Sequence, residues 1–473
     1  MPAIETVPNR VVAAVRRSFR QFLALPLATI VGFVGLNALV YLADRSWSGG
    51  AAPTGFRWLG ALLGDRAALG GLLTTVASSI ITVTSITFSL LLIAVQQGAA
   101  SLTAQVTDQF MARRTNQFYF GYFVGLSVFV LMTLVTNTEF HRPVFGTSLA
   151  LVMTTFALCL VIVMLYNTID QMRPERIVQF IHAQILEARA DDERLLARTR
   201  RTPRPGWDVR AVVRATERGY VVGLDADRIQ AAIARAAPDA VEVRMRVPVG
   251  TFRALGDPLF DIRARPGFVL EAEAREAVEA ACGRALTFDD GRDLGHDAGY
   301  GLHQLATIAW TSVSTAKSNP SPGRVVLLAL RDIVARWSPG EVDPPEALGA
   351  HVILADHAPT AATDALEAVI VVASESIQCQ TLAEAMDSLA ILLGHVAAPT
   401  ADRLAGIAQR SLSALGEHVL TRELEAALDG LAAALATRGF DDGAAAVAAA
   451  TRALAESHGT LNSRSTRVPG TTG

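Results

Sequence analysis

The chain has 473 residues, of which 51% are hydrophobic and only 18% are charged. This composition is too apolar for an average soluble enzyme and fits a protein that has both membrane-embedded and soluble parts. The formal net charge of −3 provides no basic surplus, so nucleic acid is excluded as an expected partner.

The N-terminal third contains four long apolar segments. Each has about 20 or more residues without Asp, Glu, Lys or Arg, which is enough for a helix to cross a bilayer. We predict spans at about residues 22–43, 67–97, 116–138 and 147–167. The fold class is therefore a membrane α-helical protein with a four-helix transmembrane domain over residues 1–172.

Arginines are concentrated on one side of the predicted spans. They are Arg10, Arg16, Arg17 and Arg20 before the first span, Arg113 and Arg114 between the second and third, and Arg173 and Arg176 after the fourth. The positive-inside rule then predicts that both termini are cytoplasmic. Frequent alanine, arginine and glycine indicate a bacterial genome, so we expect a multi-pass protein of the inner (plasma) membrane, embedded in the lipid bilayer.

The second predicted span carries a row of polar side chains. No charged residue occurs from Ala67 to Thr107, and polar residues recur there at heptad a/d spacing with only Leu92 interrupting them. This row, called here the polar seam, consists of Thr75, Ser78, Thr82, Ser85, Ser89 and Gln96. Either the seam packs against another helix, where small residues permit close approach, or it lines a wet pathway in a ring of subunits.

Charged residues flank the seam at both ends. Asp65 and Arg66 precede its outer end, and Asp108, Arg113 and Arg114 follow its cytoplasmic end. If the seam lines a pathway, its uncharged wall selects weakly by charge, and these residues at the two mouths are expected to set the selectivity.

The remaining sequence is predicted to be cytoplasmic and mostly helical. We assign a helical linker to residues 173–206, a small α/β module to 207–268, a helical domain to 269–458 and a disordered tail to 459–473. Within the module, residues 249–259 read as a strand, a glycine turn and a strand, which resembles half of a lipoyl/biotinyl barrel-sandwich. The attachment lysine is missing, so we expect a ligand-sensing or purely structural module.

Two stretches resemble a known family. The first is Ile86-Thr-Phe-Ser-Leu90, running through Gln96 and Phe110 to Arg114, Gln117 and Gly121; the second is Asp297-Ala-Gly-Tyr-Gly301, followed by Leu305, Ile308-Ala309, Ser314 and Asn319-Pro320. Both are similar to the bacterial predicted membrane proteins catalogued as domain of unknown function twenty-two fifty-four. The resemblance implies the four-span topology and a cytoplasmic family motif at Asp297, Gly301, Ser314, Asn319 and Pro320, and it implies no established activity.

No strong catalytic motif was found, including the P-loop, the GxSxG elbow and the HExxH zinc motif. We therefore expect no enzymatic activity, cofactor or bound metal. The leading hypothesis is a homo-oligomeric channel or transport-type protein for an ion or small solute, with the second span lining the pathway and a cytoplasmic gating and assembly domain. The alternative is a non-conducting scaffold or sensor that binds a partner or small ligand, with the seam buried against the third or fourth span of its own subunit.

Overall fold

The computed structural model describes residues 23–46, 65–101, 113–139, 141–171, 173–314, 319–338 and 349–457, together with residues 63 and 347. The chain divides into two compact units, Met1–Arg176 and Ile177–Gly473. Outside the described residues lie the predicted tail at 459–473, Asp108 and the four arginines that precede the first predicted span.

The first unit is built from long apolar helices. They are α1 (Ala24–Ser46), α2 (Arg66–Ser101), α3 (Arg114–Thr136) and α4 (Val144–Gln171). All four are long and apolar enough to cross a membrane, and in α2 the candidate span covers Arg66–Ser89. The predicted four-span architecture is confirmed.

Helices α1 and α3 pack at close range because α3 carries glycine where α1 approaches. A Cβ atom added at Gly121 would lie 2.8 Å from the Cβ of Thr29, and one added at Gly125 would lie 2.4 Å from the ring of Phe33. Small residues spaced four apart let two membrane helices approach and gain dispersion contacts. The ring of Phe33 also packs edge-on against Tyr122, with a centroid separation of 5.4 Å.

Buried polar side chains join the helices of the first unit. The Nδ2 of Asn37 in α1 donates to the Oγ1 of Thr133 in α3 at 2.9 Å. The carboxylate of Asp44, at the end of α1, accepts from the backbone N–H groups of Phe145 and Gly146 at 2.9 Å each. A carboxylate at this position satisfies free N–H groups at the start of α4 and complements the helix dipole.

The second unit contains short strands arranged in two sheets. The strands are β1 (Asp208–Arg214), β2 (Gly219–Leu224), β3 (Val241–Met245), β4 (Phe252–Arg253), β5 (Pro258–Ala264), β6 (Leu286–Asp289) and β7 (Val352–Ile353). One sheet has the order β1-β5-β3-β7 and the other has the order β4-β2-β6. Only the β3–β7 pairing is parallel among the strand pairs of the described chain.

Helices form most of the rest of the described chain. They are α5 (Pro174–Leu196), α6 (Ala226–Ala236), α7 (Ala272–Ala285), α8 (Ala298–Val313), α9 (Ser321–Trp337), α10 (Ala358–Glu375), α11 (Cys379–Leu393), α12 (Ala398–Ser411), a 3₁₀ helix (Leu412–Glu417), α13 (Arg422–Thr437) and α14 (Asp441–Ser457). The core around the sheets includes Ile229 and Ile233 of α6 together with Val243, Phe260 and Ile262 of the strands. The mostly helical fold with a small sheet region agrees with the prediction.

The sheets differ from the sequence prediction in two details. Residues 269–458 were predicted as a helical domain, but α7 ends at Ala285 and the chain continues as β6, because Leu286 pairs with Leu224 of β2. The predicted strand, turn and strand at 249–259 supplies β4 and β5 to different sheets, since β4 pairs with β2 while β5 pairs with β1 and β3. Both details depend on pairing between distant segments.

A buried ion cluster connects β3 and β5. The side chain of Glu242 is only 1% exposed and accepts from the Nη1 of Arg263 at 2.9 Å. The Nη1 of Arg200 lies 3.6 Å from the same carboxylate, and the backbone N–H of Arg204 donates to it at 3.2 Å. Because each group is compensated, the cluster can exist in a low-dielectric core.

Candidate functional site

The polar seam lies on the outer surface of the first unit. Its residues are all exposed in the single chain: Thr75, Ser78, Thr82, Ser85, Ser89 and Gln96. The core of the four-helix unit is contacted instead by the opposite side of α2, through Leu73, Val76, Ala77 and Ile80. The seam is therefore not packed against the third or fourth span of its own subunit, which was the arrangement expected for a non-conducting scaffold.

Two seam hydroxyls bond to the helix that carries them. The Oγ1 of Thr75 donates to the carbonyl of Gly71 at 2.9 Å, and the Oγ of Ser89 donates to the carbonyl of Ser85 at 2.9 Å. Bonds of this kind lower the cost of a hydroxyl in an apolar medium while leaving the oxygen lone pairs available.

Apolar residues border the seam. Ile81, Ile86 and Ile93 are exposed and occupy e and g positions of the heptads in which the seam takes a and d, whereas Thr74 and Ser79 occupy such positions beside its first turn. A polar strip between two apolar strips is the pattern of a helix that faces water along one line and contacts other helices or lipid on both sides.

The charged residues at the ends of the seam have local partners. At one end, the Oδ1 of Asp65 accepts from the backbone N–H of Ala68 at 2.8 Å and caps α2, while the Nη1 of Arg66 lies 3.6 Å from Glu139. Such an exposed pair contributes little to stability. These contacts hold Asp65 and Arg66 at the beginning of the second span.

At the other end, Arg113 is the residue immediately before α3, and Arg114, the first residue of α3, is exposed. Partial burial lowers the pKa of Arg113, as does the positive charge of Arg176, whereas Asp170 acts in the opposite direction. Asp170 is itself close to two arginines, with its carboxylate 3.3 Å from the Nε of Arg176 and 3.7 Å from that of Arg173.

The second unit encloses a cavity of about 480 Å³, which is within the usual size range of small-ligand sites. It is called here the α5–α8 cavity. Its lining residues are Arg189, Asp192, Leu195, Leu196, Tyr220, Pro248, Val249, Gly250, Thr251, Phe252, Arg292, Asp297, Ala298, Gly299, Leu354, Ala355, Asp356, His357, Ala358 and Ala361. Apolar side chains form much of this wall, with charged groups gathered among them.

Both arginines of the cavity are held in bidentate pairs. The Nη1 and Nη2 of Arg189 donate to the two carboxylate oxygens of Asp356 at 2.8 and 2.7 Å. The Nε and Nη2 of Arg292 donate to the two oxygens of Asp297 at 2.7 and 3.0 Å. In addition, each guanidinium lies over an aromatic ring, Arg189 over that of Trp337 and Arg292 over that of Tyr300. Each of these arginines is paired and stacked, and a carboxylate compensates its charge.

Asp192 is the remaining acidic residue among the described cavity-lining side chains. In the described part of the chain, it forms no ion pair with an arginine or histidine. Burial raises its pKa to about 6, and the carboxylates of Asp297, Asp356 and Asp191 act in the same direction, while Arg189 opposes them. Burial is therefore the main reason why the pKa of this carboxyl group lies above its ordinary range.

The proposed family motif is distributed along α8 and the segment that follows. Asp297 caps α8 by accepting from the backbone N–H of Tyr300 at 2.8 Å, and it also lines the cavity. A Cβ atom at Gly301 would lie 2.2 Å from Ile185, so glycine there lets α8 pack closely on α5. Ser314 is the C-cap residue of α8, and its backbone N–H donates to the carbonyl of Trp310.

Asn319 and Pro320 directly precede α9. The Oδ1 of Asn319 accepts from the backbone N–H of Ser321 at 3.4 Å, and Pro320 occupies the N-cap position. Neither residue lines the α5–α8 cavity. Of the motif residues, only Asp297 belongs to the described cavity, and the others shape the ends and packing of helices.

The comparison with protein families agrees with this arrangement. The model of the predicted membrane protein family DUF2254 matches residues 20–366. The chain belongs to this family. The DUF2254 match includes the four spans and all lining residues of the α5–α8 cavity, while α11 to α14 lie beyond it. No curated protein matches the chain, and no solved structure does.

Asp297 was identified from the sequence as a candidate site residue, whereas Arg189, Asp192 and Asp356 were not. One signal for Arg189 was present, because it continues the row of Ile181 and Ile185 at four-residue spacing on α5. A charged residue on the apolar side of an amphipathic helix must find a buried partner. The identity of that partner, Asp356, depends on the fold.

Proposed function

We propose that the chain is a subunit of a homo-oligomeric channel or transport-type protein of the bacterial inner membrane, in which α2 lines the pathway. The second unit is then the cytoplasmic part that assembles and gates the oligomer. The observation that carries the proposal is the exposure of the whole polar seam on the single subunit.

The surface of α4 provides the contrast that favours this interpretation. Most of its exposed side chains are large and apolar, among them Val152, Ile162 and Leu165, although Thr155 and Cys159 are exposed as well. Such a surface suits lipid tails, whereas an exposed row of hydroxyls is more stable against water or another polar surface. Placing copies of α2 around a common axis satisfies the seam with water, and its apolar borders can then contact neighbouring subunits.

The number of polar positions also supports a pathway. Close packing of two membrane helices needs only a few small residues, as Gly121 and Gly125 illustrate on α3. The seam extends instead from Thr75 to Gln96. In this proposal the uncharged wall admits an ion or a small polar solute. The charged residues at the two mouths select the sign of the charge that the solute carries, and they are Asp65, Arg66, Asp108, Arg113 and Arg114.

Water access to position 85 tests the proposal directly. In a Cys159→Ser background, which removes the exposed thiol on α4, Ser85→Cys is reconstituted in liposomes and treated with a charged, water-soluble thiol reagent. We expect modification of Cys at position 85 and a fall in ion conductance. Ile162→Cys on α4 is the matched control, and it should remain unmodified because lipid surrounds it.

Substitution by tryptophan provides the second arm of the same test. Ser85→Trp should abolish most of the conductance, whereas Ile162→Trp should leave it unchanged. A reconstituted protein that conducts nothing under voltage or membrane tension, and whose position 85 resists the thiol reagent, would exclude the pathway.

The second candidate is a non-conducting sensor, and the α5–α8 cavity is the observation that favours it. A cavity of about 480 Å³ that combines apolar walls with ordered charges is suited to a small ligand. In that case, the seam of α2 serves as a contact between copies. Subunits that can be cross-linked through α2 but carry no current would support this function over the first.

A further inference from the structure

The charges that line the α5–α8 cavity indicate which class of small ligand it can bind. Arg189 donates from Nη1 and Nη2 to Asp356, and Arg292 donates from Nε and Nη2 to Asp297, at 2.7 to 3.0 Å. One face of each guanidinium lies over an aromatic ring, which is Trp337 for Arg189 and Tyr300 for Arg292. An anionic ligand would compete with Asp356 or Asp297 for the paired edge of a guanidinium and would share the cavity with the carboxylate of Asp192, so the cavity disfavours anions.

A metal ion is also a poor occupant. Asp297 and Asp356 each direct both carboxylate oxygens at a guanidinium, which leaves Asp192 as the acidic group free for a cation among the described lining residues. In the described chain, no group of three or more His, Cys, Asp or Glu residues could hold a metal ion. Hard divalent cations need several oxygen ligands at once.

The environment of Asp192 is nevertheless suited to positive charge. Its pKa of about 6 reflects burial and the nearby carboxylates of Asp297, Asp356 and Asp191. An organic cation beside Asp192 would supply the counter-charge that the pairs of Arg189 and Arg292 do not provide, and it would favour the ionised carboxylate.

The rest of the wall is suited to a hydrocarbon body. Leu195, Leu196 and Val249 supply aliphatic surface, and the rings of Tyr220 and Phe252 meet edge to face with a centroid separation of 5.3 Å. Aromatic rings attract organic cations as well as apolar groups. An inorganic cation could not use this part of the cavity.

We propose that the α5–α8 cavity binds a small organic cation, with an ammonium group paired to Asp192 and a compact apolar body against Leu195, Val249 and Phe252. The proposal holds whether or not α2 forms a pathway, because it concerns the second unit alone. The arginine pairs shape the site, and Asp192 supplies the remaining negative charge that recognises the ligand.

Three probes of similar size and different charge test the proposal: 2-phenylethylammonium, 2-phenylethanol and phenylacetate. Each is titrated calorimetrically at about pH 7.5 into the full chain in lipid nanodiscs. We expect the ammonium to bind at least ~10-fold more tightly than the alcohol, because a hydrogen bond to a charged group is worth that much or more. Phenylacetate should bind weakest.

Two matched variants locate the effect. Asp192→Asn keeps the shape of the side chain but removes its charge, and it should weaken binding of the ammonium about 10-fold or more. Asp227→Asn alters an exposed carboxylate outside the cavity and should change the affinity less than ~2-fold. Circular dichroism verifies that both variants fold. A titration of each probe into protein-free nanodiscs corrects for its partitioning into lipid.

Several results would overturn the proposal. They are equal affinity for the three probes, tighter binding of phenylacetate, no binding of the ammonium, or unchanged affinity in Asp192→Asn. The probe comparison on the unmodified chain remains decisive even if a variant fails to fold. Absence of conductance would leave this result unaffected, so failure of the pathway and failure of the ligand site are distinguishable.

Discussion

The polar seam of the first unit and the charge pairs of the second unit differ in exposure. The first unit turns the uncharged seam of α2 outward, although α4 of the same unit exposes large apolar residues such as Ile162. The second unit encloses charged groups, such as Glu242 with Arg263, as compensated pairs. Both units bury hydrogen-bonded polar groups, such as Asn37 with Thr133 in the first, so the seam is distinguished as a polar row that is exposed on the single chain.

The largest loss of stability is expected when a buried, paired charge is removed from the second unit. Glu242→Ala should lower the free energy of unfolding by about 3–5 kcal/mol, because Arg263 and Arg200 then remain buried without their carboxylate. Urea unfolding followed by tryptophan fluorescence measures this loss. The control Asp208→Ala removes an exposed pair with Arg210 and should cost less than about 1 kcal/mol. Similar losses of unfolding free energy in the two variants would contradict the expected difference between buried and exposed ion pairs.

A charge placed on the surface of the first unit should distinguish its two exposed faces. Ile162→Asp on α4 should cost about 2.5–3.5 kcal/mol of membrane insertion, because lipid surrounds that position. Ser85→Asp should cost clearly less if water reaches the seam. The amount of folded protein in isolated membranes reports both effects. An equal decrease in the amount of folded protein for both variants would mean that the two faces contact the same lipid environment.

The uncompensated carboxyl of Asp192 should make stability depend on pH. Its pKa is about 6 in the folded chain, against an ordinary value of 3.8. The folded state therefore keeps a proton that the unfolded state releases, so this contribution is fully present below about pH 4 and is lost as the pH rises through 6. The change should be of the order of 1–3 kcal/mol.

Urea unfolding at about pH 4.5 and 7 can detect this dependence by comparing the original chain with Asp192→Asn. We expect the variant to lack the part of the pH dependence that belongs to Asp192. An identical pH dependence in the two proteins would show that this carboxyl has an ordinary pKa.

The smallest effect is expected from neutral polar groups of the first unit. Asn37→Leu removes the 2.9 Å hydrogen bond to Thr133 and should cost about 1 kcal/mol, as interhelical bonds in membranes do. Thr75→Val on the seam should leave the stability of the single subunit nearly unchanged, because Thr75 bonds its own helix at Gly71. Thermal unfolding in detergent compares them, and a larger loss for Thr75→Val would place the seam inside the folded subunit.

The sequence was sufficient to predict the elements that depend on local composition. Four charge-free segments predicted the spans, and heptad spacing revealed the seam from Thr75 to Gln96. Which side of α2 packs inward was not predictable from the seam alone. That choice is made by Val76, Ala77 and Ile80, which meet the other spans in the core.

The α5–α8 cavity could not be predicted because its residues are distant in sequence. Arg189 meets Asp356 across 167 positions. The short strands β6 and β7 were missed for a related reason, since they are held by pairing with β2 and β3 rather than by their own periodicity. Asp297 was found through its family motif, but its contact with Arg292 was not.

Gly250 has a further consequence for the genetics of this protein. Its φ angle of +86° lies in the left-handed region, and a Cβ atom there would come within 2.3 Å of the Oδ2 of Asp297 and 2.6 Å of the Nη2 of Arg292. In a saturation-mutagenesis library, position 250 should therefore tolerate almost no replacement, although glycine contributes no functional group. Second-site changes that restore such mutants are expected to cluster at Asp297 and Arg292, which makes the position a starting point for mapping the cavity by suppressor selection.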